Sequence, residues 1–131
     1  MSEQLRLGCG VEQAWLSARS RGHCTVITIR GDLDVVTSPQ LDECLTAAEQ
    51  THSRLILDLA EVDFLDTSAL AVIVGHWKQA EAVGGILALA GARYRYTKTL
   101  WITGLADKLV MYDTVDEGVL ALAEATDQPQ Q

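Results

Sequence analysis

Ser68 stands where a phosphate group would be electrostatically favoured. The stretch from Leu55 to Leu70 reads LILDLAEVDFLDTSAL, in which an apolar strand is followed by an acidic loop and then by a helix that begins at Asp66. Backbone N–H groups in the first turn of a helix have no partner inside the helix and carry the positive end of its dipole. A phosphate on an exposed Ser68 hydroxyl would meet favourable local charge, which makes this residue a candidate switch.

The helix that begins at Asp66 is predicted to turn Ser68 away from the core. An α-helix advances about 100° per residue, which places four apolar residues on one core-facing side: Leu70, Ile73, Val74 and Trp77. The side that Ser68 shares is small and mildly apolar: Val72, Gly75 and Gln79, flanked by Ala71 and Ala82. Two interpretations stay open, namely helix propensity or crowding against a loop, and a docking surface for another protein centred on Ser68.

Two carboxylates are expected near this hydroxyl. Asp66 can cap the helix by accepting a hydrogen bond from its first turn, a structural role worth about 1 kcal/mol. Asp34 ends the segment Gly31-Asp-Leu-Asp34 at the end of another strand. If the two strands are neighbours in the sheet, Asp34 and Asp66 meet at one edge. A phosphoryl group of about −1.5 to −2 charge on Ser68 would add to that negative charge and leave the core unchanged.

The motifs of common enzymes and metal sites are missing from the sequence. It holds no GxGxxG, Walker, GxSxG or Ser-xx-Lys pattern, and its three histidines form no metal-binding pair: His23, His52 and His76. Two pairs of carboxylates could bind a divalent cation, although such strand-end loops are usually solvated turns: Asp32 with Asp34, and Asp63 with Asp66. We therefore expect no catalytic residue, no cofactor and no metal.

Composition narrows the class of protein. A chain of 131 residues with a hydrophobic fraction of 48% is expected to form one domain. Its net charge of −8 argues against direct binding to nucleic acid. Apolar runs are too short to span a bilayer and the start lacks the features of a signal peptide, so a cytoplasmic protein without a membrane partner is expected. The three cysteines match no metal-ligand or redox spacing.

Strands and helices are predicted to alternate along the chain, which is typical of an α/β fold with a mixed or parallel sheet. The expected strands cover residues 5–11, 15–19, 24–30, 55–59, 86–90 and 109–112. The expected helices cover residues 37–52, 66–83 and 115–125, with a short one through Leu100 and Trp101.

The order of four motifs resembles the STAS domain, most closely the stand-alone anti-sigma factor antagonists of bacteria. These motifs are Gly31-Asp-Leu-Asp34, the stretch LILDLAEVDFLDTSAL, Gly84-Gly85 and Thr103-Gly104-Leu105. The resemblance implies a single domain with a mixed four- to five-stranded sheet and about four helices. It implies a STAS domain over residues 22–126, preceded by a strand extension (1–21) and followed by a flexible tail (127–131).

The resemblance also implies a phosphorylation site. Members usually read D-S-S-G at the helix start, and the second serine is phosphorylated by an anti-sigma factor that is also a serine kinase. Ser68 holds that position, with Thr67 as the alternative acceptor. Thr67 replaces the first serine and Ala69 replaces the glycine. The implied partner-binding surface comprises Asp34, Asp66, Thr67, Ser68, Ala69, Val72 and Gly75.

The implied function is partner switching. The unphosphorylated protein would bind an anti-sigma factor serine/threonine kinase and free a sigma factor, phosphorylation of Ser68 would release it, and a PP2C-type phosphatase would reset the cycle. Two alternatives stay open: a STAS-like module without phosphorylation that binds a small molecule or acts in a transport or stress-sensing assembly, and an enzyme that uses the acidic cluster. A weak homodimer is also compatible with the sequence.

Overall fold

The computed structural model describes residues 16–50, 52–92 and 109–127. This part of the chain contains five strands and three helices: β1 (Leu16–Arg21), β2 (Cys24–Leu33), α1 (Ser38–Glu49), β3 (Arg54–Leu65), α2 (Thr67–Ala82), β4 (Ile86–Ala90), β5 (Val110–Tyr112) and α3 (Val115–Asp127). The predicted α/β class is therefore confirmed. Three predicted features lie outside the described residues: the strand at 5–11, the helix at Leu100 and Trp101, and the Thr103-Gly104-Leu105 motif.

The strands form one mixed sheet in the order β1-β2-β3-β4-β5. β1 and β2 are joined as an antiparallel hairpin, whereas the β2–β3, β3–β4 and β4–β5 pairs are parallel. Parallel neighbours need crossover connections; α1 supplies the one between β2 and β3, and α2 the one between β3 and β4. Since β1 pairs with β2 over its whole length, residues 16–21 of the predicted strand extension are part of this sheet.

Helices cover both faces of the sheet. On one face, α1 packs on β3 and α2 packs on β4, and Leu55 and Leu57 of β3 belong to the core on this face. α1 contributes the predicted apolar stripe, which is buried: Leu41, Cys44, Leu45 and Ala48. On the other face, Leu122 of α3 packs against Ile56. The three consecutive residues 55–57 are buried because alternate side chains enter different cores. This confirms the prediction of a central strand that is covered on both faces.

Two strands run further than the sequence indicated. We expected β2 to break at Gly31 and a loop to follow Leu59, but the β2–β3 ladder continues to the pair Leu33↔Leu65 with two register shifts. In the second half of β3, Val62 and Leu65 are buried whereas residues 61, 63 and 64 are exposed. The acidic residues of this stretch therefore lie on an irregular strand, and the predicted loop is wrong.

Helix boundaries follow the predictions more closely. α1 ends at Glu49, slightly before the predicted end at residue 52. α2 ends as predicted at the two glycines: Gly84 has φ +80°, and the Gly85 N–H donates to the Ala80 carbonyl at 2.7 Å. This left-handed terminator is the arrangement that favours glycine after a helix. α3 includes Asp127, the first residue of the predicted tail.

Candidate partner-binding site

The strands β2 and β3 end side by side, directly before the two acidic residues that the sequence singled out. Leu33 pairs with Leu65, and the Asp66 N–H donates to the Leu33 carbonyl at 3.0 Å. Asp34 and Asp66 thus follow the ends of neighbouring parallel strands. Their predicted placement at one edge of the sheet is confirmed.

Asp66 caps helix α2. Its backbone is extended, and its Oδ1 accepts a hydrogen bond from the Ala69 N–H at 3.1 Å. The Asp66 carbonyl accepts the first helical bond from the Leu70 N–H at 3.0 Å. The predicted capping role is therefore confirmed, and one of the unpaired N–H groups of the first turn is satisfied by a carboxylate.

The first turn of α2 is more buried than the sequence indicated. Thr67 is exposed, Ser68 is half-buried and Ala69 is completely buried. We expected an exposed Ser68 and a partner contact through Ala69; the first expectation is wrong in degree and the second is wrong, because the Ala69 methyl packs in the core between the sheet and the helices. The difference arises because the helix begins directly on the end of β3, so its first turn packs on the sheet.

Asp34 organises the loop that leads into α1. Its Oδ1 accepts hydrogen bonds from the Val36 N–H at 3.0 Å and the Thr37 N–H at 3.1 Å. The Thr37 hydroxyl oxygen in turn accepts from the Asp34 N–H at 2.9 Å. Thr37, the N-cap of α1, makes no side-chain bond to the helix, because this loop occupies its hydroxyl. The carboxylate of Asp34 therefore holds its own loop in shape.

The sequence reasoning missed three large apolar side chains at this edge. Val35 is 67% exposed, Val36 is 74% exposed and Phe64 is 51% exposed. The two valines follow Asp34 in the loop, and Phe64 pairs with Asp32 near the end of the ladder. We call residues 34–37, Phe64 and residues 66–68 together the Ser68 edge. The sequence does contain a signal for this exposed apolar surface, because Val35 and Val36 form an apolar pair between the end of a strand and the cap of a helix.

On the Ser68 side of α2 the positions as far as Gln79 are uncharged, and the exposed Lys78 flanks them. Gly75 is exposed as predicted, whereas Val72 is half-buried and also packs on the core. The predicted core side is confirmed by Leu70 and Ile73, which are buried, and by Val74 and Trp77, which pack against the core.

A groove between α1 and α2, the α1–α2 groove, is lined by Asp42, Thr46, Ala71, Val72, Gly75, His76 and Gln79. The buried His76 at this groove was not predicted.

The carboxylates are not gathered into a metal site in the described part of the chain. Within residues 16–50, 52–92 and 109–127, no group of three or more His, Cys, Asp or Glu side chains is placed to hold a metal ion. Over the same ranges, no helix combines the length and the apolar character that a membrane crossing requires.

Comparison with known proteins identifies the class. The family model described as "STAS domain" matches residues 16–118. The anti-sigma-B factor antagonist of Bacillus subtilis is 33% identical over 81 residues, which cover 62% of this chain and 74% of that protein. The chain therefore belongs to the STAS domain family, in the group of the anti-sigma factor antagonists.

Solved structures agree on the fold. An anti-sigma factor antagonist from Mycobacterium paratuberculosis superposes with a TM-score of 0.73 at 21% identity, covering 81% of this chain and 91% of that one. The phosphorylated form of the Bacillus cell fate determinant SpoIIAA superposes with a TM-score of 0.66 at 21% identity, covering 82% and 98% of the two chains.

Proposed function

We propose that this protein is an anti-sigma factor antagonist that binds an anti-sigma factor serine kinase while Ser68 is unphosphorylated and is released when Ser68 is phosphorylated. One observation carries the proposal. The half-buried residue Ser68 lies at the same sheet edge as three exposed apolar side chains, Val35, Val36 and Phe64. The names of the relatives point in the same direction, since they are antagonists of anti-sigma factors.

The apolar part of the Ser68 edge accounts for binding of the unphosphorylated form. Burial of apolar surface contributes about 25 cal/mol per Å², so solvent-exposed apolar side chains stabilise a complex when a partner covers them. Apolar and aromatic anchors at the centre of an interface supply most of its binding energy. Val36 and Phe64 are suitable anchors because the loop bonds of Asp34 and the strand pairing hold their backbone in place.

Phosphorylation would act differently on the free protein and on the complex. In the free protein, the N-terminus of α2 and the surrounding water stabilise a phosphate. In the complex, the same charge would be desolvated beside the Asp66 carboxylate, which already occupies the Ala69 N–H. An uncompensated buried charge costs about 3 to 5 kcal/mol. Binding should therefore weaken by more than about 100-fold, while the fold is unchanged.

The remaining steps of the proposed cycle are those that the family resemblance implies. The kinase would release its sigma factor when it binds the Ser68 edge, and a PP2C-type phosphatase would restore the binding form. The protein itself would act by binding in the cytoplasm, with no catalytic step of its own. Its net charge of −8 is consistent with a protein partner and not with direct contact to nucleic acid.

Phosphate mapping tests the proposal. The protein is incubated with its kinase and ATP, the site is located by mass spectrometry, and kinase affinity is measured before and after the reaction. We expect one phosphate on Ser68 and loss of binding, with Ser68→Ala unmodified and Thr67→Ala modified as in the wild type. A phosphate on Thr67 would move the site by one residue. No phosphate, with binding unaffected by ATP, would favour the STAS module without phosphorylation.

A further inference from the structure

His76 joins α2 to α1 through both nitrogens of its ring. Its side chain is 8% exposed, its Nε2 lies 2.6 Å from Asp42 Oδ1, and its Nδ1 lies 2.6 Å from Glu49 Oε2. Both carboxylates belong to α1 and stand two helical turns apart on one side of that helix. The imidazole therefore bridges two turns of the neighbouring helix.

This arrangement is satisfied by only one form of the ring. Ionised carboxylates accept hydrogen bonds and cannot donate them, and a neutral imidazole has a single N–H. Both 2.6 Å contacts are hydrogen bonds when the ring is an imidazolium that donates from Nδ1 and Nε2. After loss of one proton, a nitrogen lone pair would face a carboxylate oxygen in a largely buried site, and one link between the helices would become repulsive.

The charges around His76 come from α1. Burial lowers the pKa of His76, but the hydrogen bonds and the attraction of Asp42 and Glu49 outweigh burial, so the pKa lies above its ordinary value of 6.5. The neighbours one turn away on α2 are uncharged: Val72, Ile73, Gln79 and Ala80. The strand β4, on which α2 packs, consists of Ile, Leu and Ala residues only.

The bridge connects the two helices that start at the Ser68 edge. α1 begins at Ser38, directly after the loop of Asp34, and α2 begins at Thr67, next to Ser68. His76 and Asp42 also line the α1–α2 groove together with Val72 and Gly75. Any change in the bridge therefore acts on the relative position of two helices that both begin at the Ser68 edge.

We propose that protonated His76 is a latch that holds α1 against α2, and that its deprotonation as pH rises loosens the helix pair and weakens partner binding at the Ser68 edge. The second half of this statement rests on the proposed function. Because the pKa is raised in the folded state, the latch contributes its full stability below pH 6.5 and loses it as pH rises through the folded-state pKa.

Three variants test the latch without the partner. His76→Gln removes the charge, Asp42→Asn with Glu49→Gln removes its two acceptors, and His23→Gln is the matched control because His23 is exposed in the β1–β2 hairpin. NMR titration of the imidazole signals is combined with urea unfolding between pH 6 and pH 9. We expect a His76 midpoint above pH 6.5 that falls in the Asp42/Glu49 variant. We also expect the stability advantage of the wild type over His76→Gln to shrink as pH rises, and His23→Gln controls for the loss of an exposed imidazole.

Each outcome decides one half of the proposal. A His76 midpoint at or below 6.5, or a pH-independent difference from His76→Gln, would overturn the latch. If His76→Gln does not fold, the carboxylate variant decides the question alone, because its changes lie at the partly exposed side chains of α1. Kinase affinity that is the same on both sides of the His76 midpoint would overturn the regulatory half. Absence of kinase binding at every pH would overturn the proposed function and leave the latch intact.

Discussion

The two ends of helix α2 differ in what they leave uncovered. At the N-terminal end, the Ser68 edge carries three of the six large apolar side chains that are exposed among the described residues, whereas the C-terminal end carries one, Val83. Large apolar side chains that cluster in water mark an interaction surface, and single ones are ordinary. The comparison therefore supports the proposal that a partner binds at the start of the helix and not at its end.

Backbone hydrogen bonds cap the C-terminal end of α2. The Gly84 N–H donates to the Glu81 carbonyl at 3.3 Å and the Gly85 N–H to the Ala80 carbonyl at 2.7 Å, which together satisfy two terminal carbonyls of the helix. The Ser53 carbonyl then accepts from the Ile86 N–H at 2.8 Å, directly before β3 and β4 pair. The Ala80 and Glu81 carbonyls and the Ile86 N–H are therefore paired at this end.

A negative charge introduced at the N-terminal end of α2 is expected to have the largest effect on kinase binding. Ser68→Asp is expected to weaken kinase binding by about 100-fold, since it places a carboxylate in a half-buried part of the interface. The melting temperature should hardly change, because a negative side chain in the first turn is compatible with the helix dipole. Isothermal titration and thermal unfolding provide the two measurements.

Two variants accompany Ser68→Asp. Ser68→Ala should bind as the unphosphorylated wild type does. Thr67→Asp places the same charge on the exposed neighbour and should weaken binding less. Equal affinities of Ser68→Asp and Ser68→Ala would remove Ser68 from the switch.

A larger side chain at the C-terminal end of α2 is expected to lower the free energy of unfolding without changing kinase binding. A Cβ added at Gly85 would lie 2.6 Å from the Ser53 carbonyl oxygen, so Gly85→Ala forces the backbone apart and should cost about 1 to 3 kcal/mol in the free energy of unfolding. Gly75→Ala, on the open side of the same helix, meets nothing within 4 Å and should be neutral or stabilising. Urea denaturation measures both. A Gly85→Ala protein that binds its kinase tenfold more weakly while fully folded would extend the interface to this end.

The features that sequence predicted well are those set by local chemistry. The Asp66 cap, the stop at Gly84-Gly85 and the buried stripe of α1 depend on residue types at fixed spacing, so helical periodicity finds them. The prediction that Asp34 and Asp66 lie at the same edge of the sheet required one assumption, namely that β2 and β3 are neighbouring strands. The parallel pairing of β2 with β3 shows that this assumption is correct.

The features that sequence missed depend on tertiary contacts. The second half of β3 appeared to be a loop because its acidic residues break the apolar pattern, yet pairing with β2 keeps it extended through two register shifts. The helical wheel placed Val72 outward and gave no role to His76. The packing of α1 against α2 draws Val72 partly inward and pairs His76 with Asp42 and Glu49. None of these contacts is local in sequence.

A matched pair of valines compares the two ends of α2 directly. Val36 is 74% exposed at the N-terminal end and Val83 is 76% exposed at the C-terminal end. Because the two side chains are equally hydrated, Val36→Ser and Val83→Ser should each change the free energy of unfolding by less than about 0.5 kcal/mol. Only Val36→Ser should weaken kinase binding, by about tenfold if Val36 is an anchor of the interface.

Titration of both variants against the same kinase preparation measures this difference. The Val83 variant is the control for loss of one apolar side chain from the surface. A tenfold loss in the Val36 variant alone would confine the interface to the Ser68 edge, since the two changes are chemically identical. Equal losses in both variants would instead require a partner that spans the whole length of α2. In that case the uncharged side of the helix, and not the cluster of apolar residues at its start, would be the surface that selects the partner.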